Sequence, residues 1–167
     1  MKVYPNIFSN NPVDRVSDLR SDPSWVEKTL NREKTMICLF WRGKAFISKH
    51  KSIILDNSNP EQSNPAWFPL DFFKGQISDT DILVFIGLIE DRAFFALDVS
   101  RHTNPEEVLN LATLGEFEDL MVLAPQAINS GELAMLGQAK AIFEWNKSHK
   151  FCSKCGAEST MVEACYK

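Results

Sequence analysis

Residues 81–99 read Asp-Ile-Leu-Val-Phe-Ile-Gly-Leu-Ile, then Glu-Asp-Arg, then Ala-Phe-Phe-Ala-Leu-Asp-Val. From Asp81 to Ile89 the run is apolar on both faces of a period-two strand, which requires cover above and below and suggests a central position in a sheet. Glu90-Asp91-Arg92 is a polar break that turns the chain into a second strand from Ala93 to Val99. Phe94 and Phe95 are adjacent, so they must point to opposite faces of that strand.

Working outward, Thr35 to Trp41 is a β-prone apolar run, Arg42-Gly43-Lys44 offers a turn, and Ala45-Phe46-Ile47 returns, giving another hairpin. Residues 56 to 66 are dense in Asn, Ser and Pro and read as a loop. Trp67-Phe68-Pro69-Leu70 follows that polar stretch and reads as an exposed apolar edge suited to a partner. Upstream, Asp22-Pro23 opens a short helix through Leu30 with Trp25, Val26 and Leu30 toward the core, because aspartate caps free amides and proline tolerates the first helical position. Residues 1 to 21 are polar, carry Pro5 and Pro12, and form an irregular arm anchored by Ile7, Phe8, Val13, Val16 and Leu19.

Downstream, Asn104-Pro105-Glu106-Glu107 starts a short helix that fades by Leu114, its acidic first turn matching the helix dipole. The longest helix spans Ser130 to Ser148, with Asn129 and Glu132 spaced as a capping box. Met135, Leu136, Ala139, Ile142 and Phe143 fall within about 120° of its circumference, while Ala134, Ala141 and Trp145 form a second strip. The expected fold is α+β, a mainly antiparallel sheet flanked by helices over residues 1–128. A connecting helix over 129–150 and a cysteine-bearing segment over 151–167 complete it.

The 167 residues are 44% hydrophobic and 24% charged, enough for one sizeable core. A net charge of −4 with scattered lysines and arginines gives no general attraction to phosphate backbones, so direct nucleic-acid binding is not expected. The start lacks an apolar signal core, and no stretch approaches the roughly 20 apolar residues that cross a bilayer. Four cysteines, two of them as Cys152-x-x-Cys155, fit a reducing, cytoplasmic setting with a metal site better than a disulfide scaffold.

Cys152-Ser-Lys-Cys155-Gly156 is the most specific signal. Two thiolates at this spacing grip one Zn²⁺, and the glycine lets the backbone fold back. It is half a site, since structural zinc takes four ligands; a metal-free turn and a redox dithiol remain alternatives. The redox reading suffers because a helix precedes the pair, whereas a thioredoxin-like site places a strand before and a helix after. Cys38 reads as a small core residue and Cys165 as an exposed bystander. His50, His102 and His149 sit among basic or polar neighbours and read as surface. Glu116, Glu118 and Asp119 read as solvent-facing charge without a partner glutamate at helical spacing. Trp25, Trp41, Trp67 and Trp145 are candidates to stack on an adenine ring, though core roles are commoner. No Gly-rich phosphate loop, Gly-x-Ser-x-Gly elbow or His-Glu-x-x-His pair occurs.

Three stretches carry a family resemblance: Ser24-Trp25 through Trp41-Arg42-Gly43-Lys44, the strands from Val84 to Leu97, and Ala139-x-x-Ile142-x-x-Trp145-x-x-x-His149-x-Phe151-Cys152-x-x-Cys155-Gly156. Together they resemble the amino-terminal half of NADH pyrophosphatases, zinc-ribbon Nudix hydrolases. The resemblance implies a degenerate Nudix-like domain, then a four-cysteine ribbon, then a catalytic Nudix domain. That last domain holds Mg²⁺ or Mn²⁺ and hydrolyses NADH, NAD, related dinucleotides or NAD-capped RNA. Cys152 and Cys155 match the ribbon's first pair, and the second pair is expected past Lys167, with Cys165 in the insert between them. The catalytic glutamate box is absent here, so no catalytic residue carries over and this portion alone is expected to be inactive. A scaffolding role within a homodimer follows. The alternative is a stand-alone nucleotide- or protein-binding module, and a continuation into a second Cys-x-x-Cys separates the two.

Overall fold

A computed structural model describes residues 6, 8, 10–48, 64–73, 75–78, 81–126 and 129–167. Pro5, Ile7, His50 and residues 56–63 of the expected loop lie outside the described residues. Helix α1, Pro23–Leu30, starts as its sequence dictates, with the Asp22 carboxylate accepting from the Ser24 amide at 2.9 Å. Strands β1, Met36–Trp41, and β2, Lys44–Ser48, form the expected hairpin, and β3, Asn64–Pro65, and β4, Phe68–Pro69, are two-residue additions. The deciding hairpin is β5, Ile82–Ile89, with β6, Arg92–Asp98. Helix α2, Pro105–Val108, strand β7, Gly115–Glu118, helix α3, Leu120–Leu123, and helix α4, Ser130–Ser148, complete the order.

The strands join one mixed sheet in the order β3-β2-β1-β6-β5, with β4 pairing with β1 and β7 with β2. Among the described residues only the β1–β6 pairing is parallel; the others are antiparallel. The α+β, mainly antiparallel expectation is therefore met. Strand alternation sends Cys38, Phe40, Phe94 and Ala96 to one face, where Met135, Leu136, Ala139 and Phe143 of α4 cover them. It sends Ile37, Leu39, Phe95 and Leu97 to the other, where Trp25, Val26 and Leu30 of α1 pack with Leu109 and Leu111 after α2. Each large side chain buried in this way contributes roughly 1.5–3 kcal/mol.

Two expectations are corrected. The Asp81–Ile89 run is not central: β5 ends the strand order, and among the described strands its partner is β6. It is apolar on both faces because α4 lies on one side and Trp25 meets Phe85 edge-on at 5.6 Å on the other. Its free edge is satisfied by the amino-terminal arm, through reciprocal 2.8 Å bonds between the Asp14 and Leu88 backbones, and by Gln138, which donates to the Ile86 carbonyl at 2.8 Å. The helix begun at Asn104 is also shorter than expected. Asn110 takes a left-handed φ of 54°, and the chain turns into the buried Leu111.

The arm reaches β5 only because residue 87 is glycine, at the register shift between Phe85 and Gly87. A Cβ there would lie 2.6 Å from the Asp14 carbonyl oxygen and 2.7 Å from the Val13 side chain, at a φ of +155°. Gly87→Ala is expected to destabilise the fold by about 1–3 kcal/mol, read as a lower urea midpoint. An unchanged midpoint would mean the arm does not press on β5.

Candidate metal centre

Helix α4 delivers the cysteine pair. At its end the His149 amide donates to the Trp145 carbonyl at 2.9 Å and closes the last turn. Beyond it the chain folds into a small two-armed turn. Ser159 N donates to Lys150 O at 2.8 Å, Phe151 pairs with Glu158, and Cys152 N donates to Ala157 O at 2.7 Å. Gly156 N returns to Cys152 O at 2.8 Å, and Gly156 holds a φ of +71° that allows this reversal.

Cys152 and Cys155 are both exposed on this turn. The backbone amides of Lys154, then Cys155, donate to Cys152, and with the Cys155 thiol they hold its thiol below the ordinary range. Amides aimed at a sulfur favour the thiolate, the form that binds metal. The pair thus suits two positions of a tetrahedral thiolate site. Among the described residues no cluster of three or more His, Cys, Asp or Glu side chains converges.

The other candidates lie elsewhere. Cys38 is fully buried, and burial pushes its thiol far up. Cys165 is not the exposed bystander expected. Its thiol contacts the Leu83 carbonyl at 3.6 Å, and Asn146 donates to its carbonyl at 3.1 Å, because the segment after the turn folds back onto β5 and α4. The His149 ring stacks on Trp145 with centroids 3.6 Å apart and an interplanar angle of 13°, its Nδ1 3.0 Å from the Trp145 carbonyl. His102 accepts from the Trp41 indole through its backbone carbonyl at 2.9 Å. Glu116 is exposed, whereas Glu118 accepts from the Asp119 amide at 2.8 Å. Asp119 caps α3 through Met121 N at 2.8 Å and pairs with Lys140 at 3.3 Å.

Trp67 corrects the reading of residues 67–70 as an exposed edge. It is 2% exposed, packs edge-on against Phe94, and donates from its indole to the Glu132 carboxyl at 3.1 Å. The capping box is accordingly half made: Asn129 accepts from Gly131 N and Glu132 N, while the Glu132 side chain meets Trp67. Sequence reasoning also missed Tyr166. Its hydroxyl donates to Ile86 O at 3.2 Å and contacts Gln138, and the Arg20 guanidinium lies 3.8 Å over its ring. Burial raises its phenol above the ordinary value. No local motif signals these contacts, since the partners lie many residues apart.

Residues 34–145 match the family described as NADH pyrophosphatase-like rudimentary NUDIX domain. The chain is 25% identical over 187 residues to "Nudix hydrolase 19, chloroplastic" of Arabidopsis thaliana, covering 98% of this chain and 43% of that protein. It is 26% identical over 196 residues to "NAD-capped RNA hydrolase NPY1" of Saccharomyces cerevisiae, covering 98% of this chain and 50% of that protein. The chain thus spans about half the length of the curated relatives it matches.

The four thiols are expected to separate by reactivity. In metal-free protein at pH 8, Cys152 and Cys155 react rapidly with a thiol reagent, and Cys38 and Cys165 react only on unfolding. Burial pushes Cys165 to about 11 from an ordinary 9.0, which leaves roughly a hundredfold less thiolate at pH 8. The folded state keeps this proton over a range where the unfolded chain loses it, so stability falls as pH rises from about 9 towards 11. Rapid labelling of three or four thiols in folded protein would contradict this placement.

Proposed function

This chain belongs to the family of NADH pyrophosphatase-like rudimentary NUDIX domains, and from that premise we propose that it is the amino-terminal, non-catalytic portion of an NAD(H) diphosphatase. Such an enzyme splits the pyrophosphate bond of NADH- and NAD-type dinucleotides. The observation that carries this reading is the family match across the sheet itself, residues 34–145. The half-length coverage of both relatives supports a catalytic portion elsewhere. So does the absence, among the described residues, of a carboxylate cluster able to hold a divalent cation.

In this reading Cys152 and Cys155 hold two of four positions on a structural Zn²⁺, with a second cysteine pair further along the chain completing the ribbon. Mg²⁺ or Mn²⁺ and the dinucleotide substrate belong to the catalytic portion. The present domain positions the ribbon: α4 is fixed in the core along most of its length and carries the turn at its end. Met121 and Val122 on α3, 71% and 47% exposed, offer an apolar patch for the homodimer. Thiolate ligation suits a reducing compartment such as the cytoplasm, and no helix among the described residues is long and apolar enough to cross a membrane.

The test is NADH hydrolysis with Mg²⁺ or Mn²⁺. The 167-residue chain is expected to give no turnover above the uncatalysed rate, while protein continuing through a Nudix box is active. Turnover by the 167-residue chain alone would refute the scaffold reading.

A further inference from the structure

Val16 stands where the amino-terminal arm joins the domain. Its φ is +38°, and it alone of the described non-glycine residues with left-handed φ is β-branched. A branched Cβ crowds the backbone in that region, so the conformation persists only where surrounding contacts impose it. Here they do so from several sides. The Val16 amide donates to the Asp14 carboxylate at 2.9 Å, and its carbonyl accepts from the Leu19 and Arg20 amides at 3.0 and 3.1 Å. Its side chain packs into the α1 side of the core.

The arm before Val16 is fastened by a short set of bonds. The Asn11 side chain donates to Gln138 Oε1 at 2.6 Å, and Gln138 Nε2 donates in turn to the Ile86 carbonyl at 2.8 Å, so one side chain of α4 ties the arm to the outer edge of β5. Asp14 and Leu88 then exchange their two backbone bonds. Glycines make room for the fit: a Cβ on Gly137 would lie 2.7 Å from the Phe8 ring, just as one on Gly87 would meet Val13. Asn10, Pro12, Asp14 and Arg15 are nevertheless exposed. A segment held by exposed bonds and little buried apolar surface opens at a lower free energy than the core.

We propose that the arm is a strap hinged at Val16, which opens and closes as one unit while the sheet stays folded. Closed, it covers the outer edge of β5 through Asn11 and Asp14. Open, it frees the Leu88 N–H and C=O and lets the backbone at Val16 relax, so the stored strain raises the open population above what the bonds alone would set. β5 is eight residues long, and an exposed edge of that length is a template for pairing with another strand. The strap therefore controls when that edge is accessible. This goes beyond the scaffold reading and needs neither zinc nor a hydrolase portion.

The experiment is native-state hydrogen exchange on the 167-residue chain, read at the Asp14 and Leu88 amides and, for reference, at amides of the parallel β1–β6 pairing. Asp14 and Leu88 are expected to share one protection factor, at least about tenfold below the reference amides, and to respond little to dilute urea because their opening exposes little surface. Asn11→Ala should lower Leu88 protection about threefold to tenfold through the loss of one hydrogen bond. Val16→Ala and Val16→Gly both remove the side-chain packing, but only glycine relieves the left-handed strain. Leu88 should therefore be about threefold better protected in the glycine variant than in the alanine variant. At an unstrained position the order is the reverse, because glycine loses more backbone entropy on closing. Leu88 protection equal to that of the reference amides, a urea response as steep as theirs, or an alanine variant protected as well as the glycine variant overturns the proposal.

Discussion

Met36 to Phe40 lie beside Phe94 to Asp98 in parallel register, and the remaining layers are arranged around that seam. A tight turn cannot make a parallel pair. Two hairpins meet there instead, β1–β2 on one side and β5–β6 on the other. Alternation along the seam then exports apolar side chains in both directions: Phe40 and Phe94 towards α4, Leu39 and Phe95 towards α1. Neither face tolerates water, so helices are required on both, and the arrangement of layers follows from the pairing.

Helix α4 turns that core into a support for the cysteine turn. Its 19 residues reach about 28 Å at 1.5 Å per residue. Buried positions run from Gly131 to Phe143, after which the helix projects Trp145 into solvent and ends beside Cys152. The segment beyond the turn comes back to the same helix and strand, where Tyr166 and Gln138 share the Ile86 carbonyl. The cysteine turn is thereby bounded on one side by a core helix and on the other by a docked tail. Its orientation relative to the sheet is fixed by packing rather than by the turn alone.

Much of this was legible in the sequence, and the failures have a common cause. Caps and period-two runs gave α1, α4 and both hairpins because those signals are local: Asp22 and Asn129 act within three residues, and alternation acts within one strand. Whether a strand is central or at an edge depends on what lies beside it, and periodicity reports only what lies above and below. Hence β5, covered on both faces, looked central although its outer edge is met by Asp14. Trp67 looked exposed because a polar loop precedes it; its partner, Glu132, is 65 residues away on α4. Cys165 looked exposed for the same reason, its contact with Leu83 being 82 residues distant. The turn at Cys152 to Gly156 was legible because two cysteines and a glycine within five residues mark a chain reversal without help from elsewhere.

The acidic run near the middle of the chain bears on what this domain does. In-line attack on a pyrophosphate needs carboxylates that are free to take a metal and converge on one point. Glu118 is occupied by the Asp119 amide, and Asp119 by the first turn of α3 and by Lys140. The backbone amide of Met121 is the first cause of the lowered Asp119 pKa, so that carboxylate is tuned as a helix cap. Glu116 and Glu118 stand opposite Ile47 and Ala45 on a four-residue strand. Replacing these contacts with a metal would uncap α3, whose Leu120 and Leu123 pack beneath α4. Asp119 is thus committed to the junction of α3 and α4, where its carboxylate caps one helix and pairs with a lysine of the other.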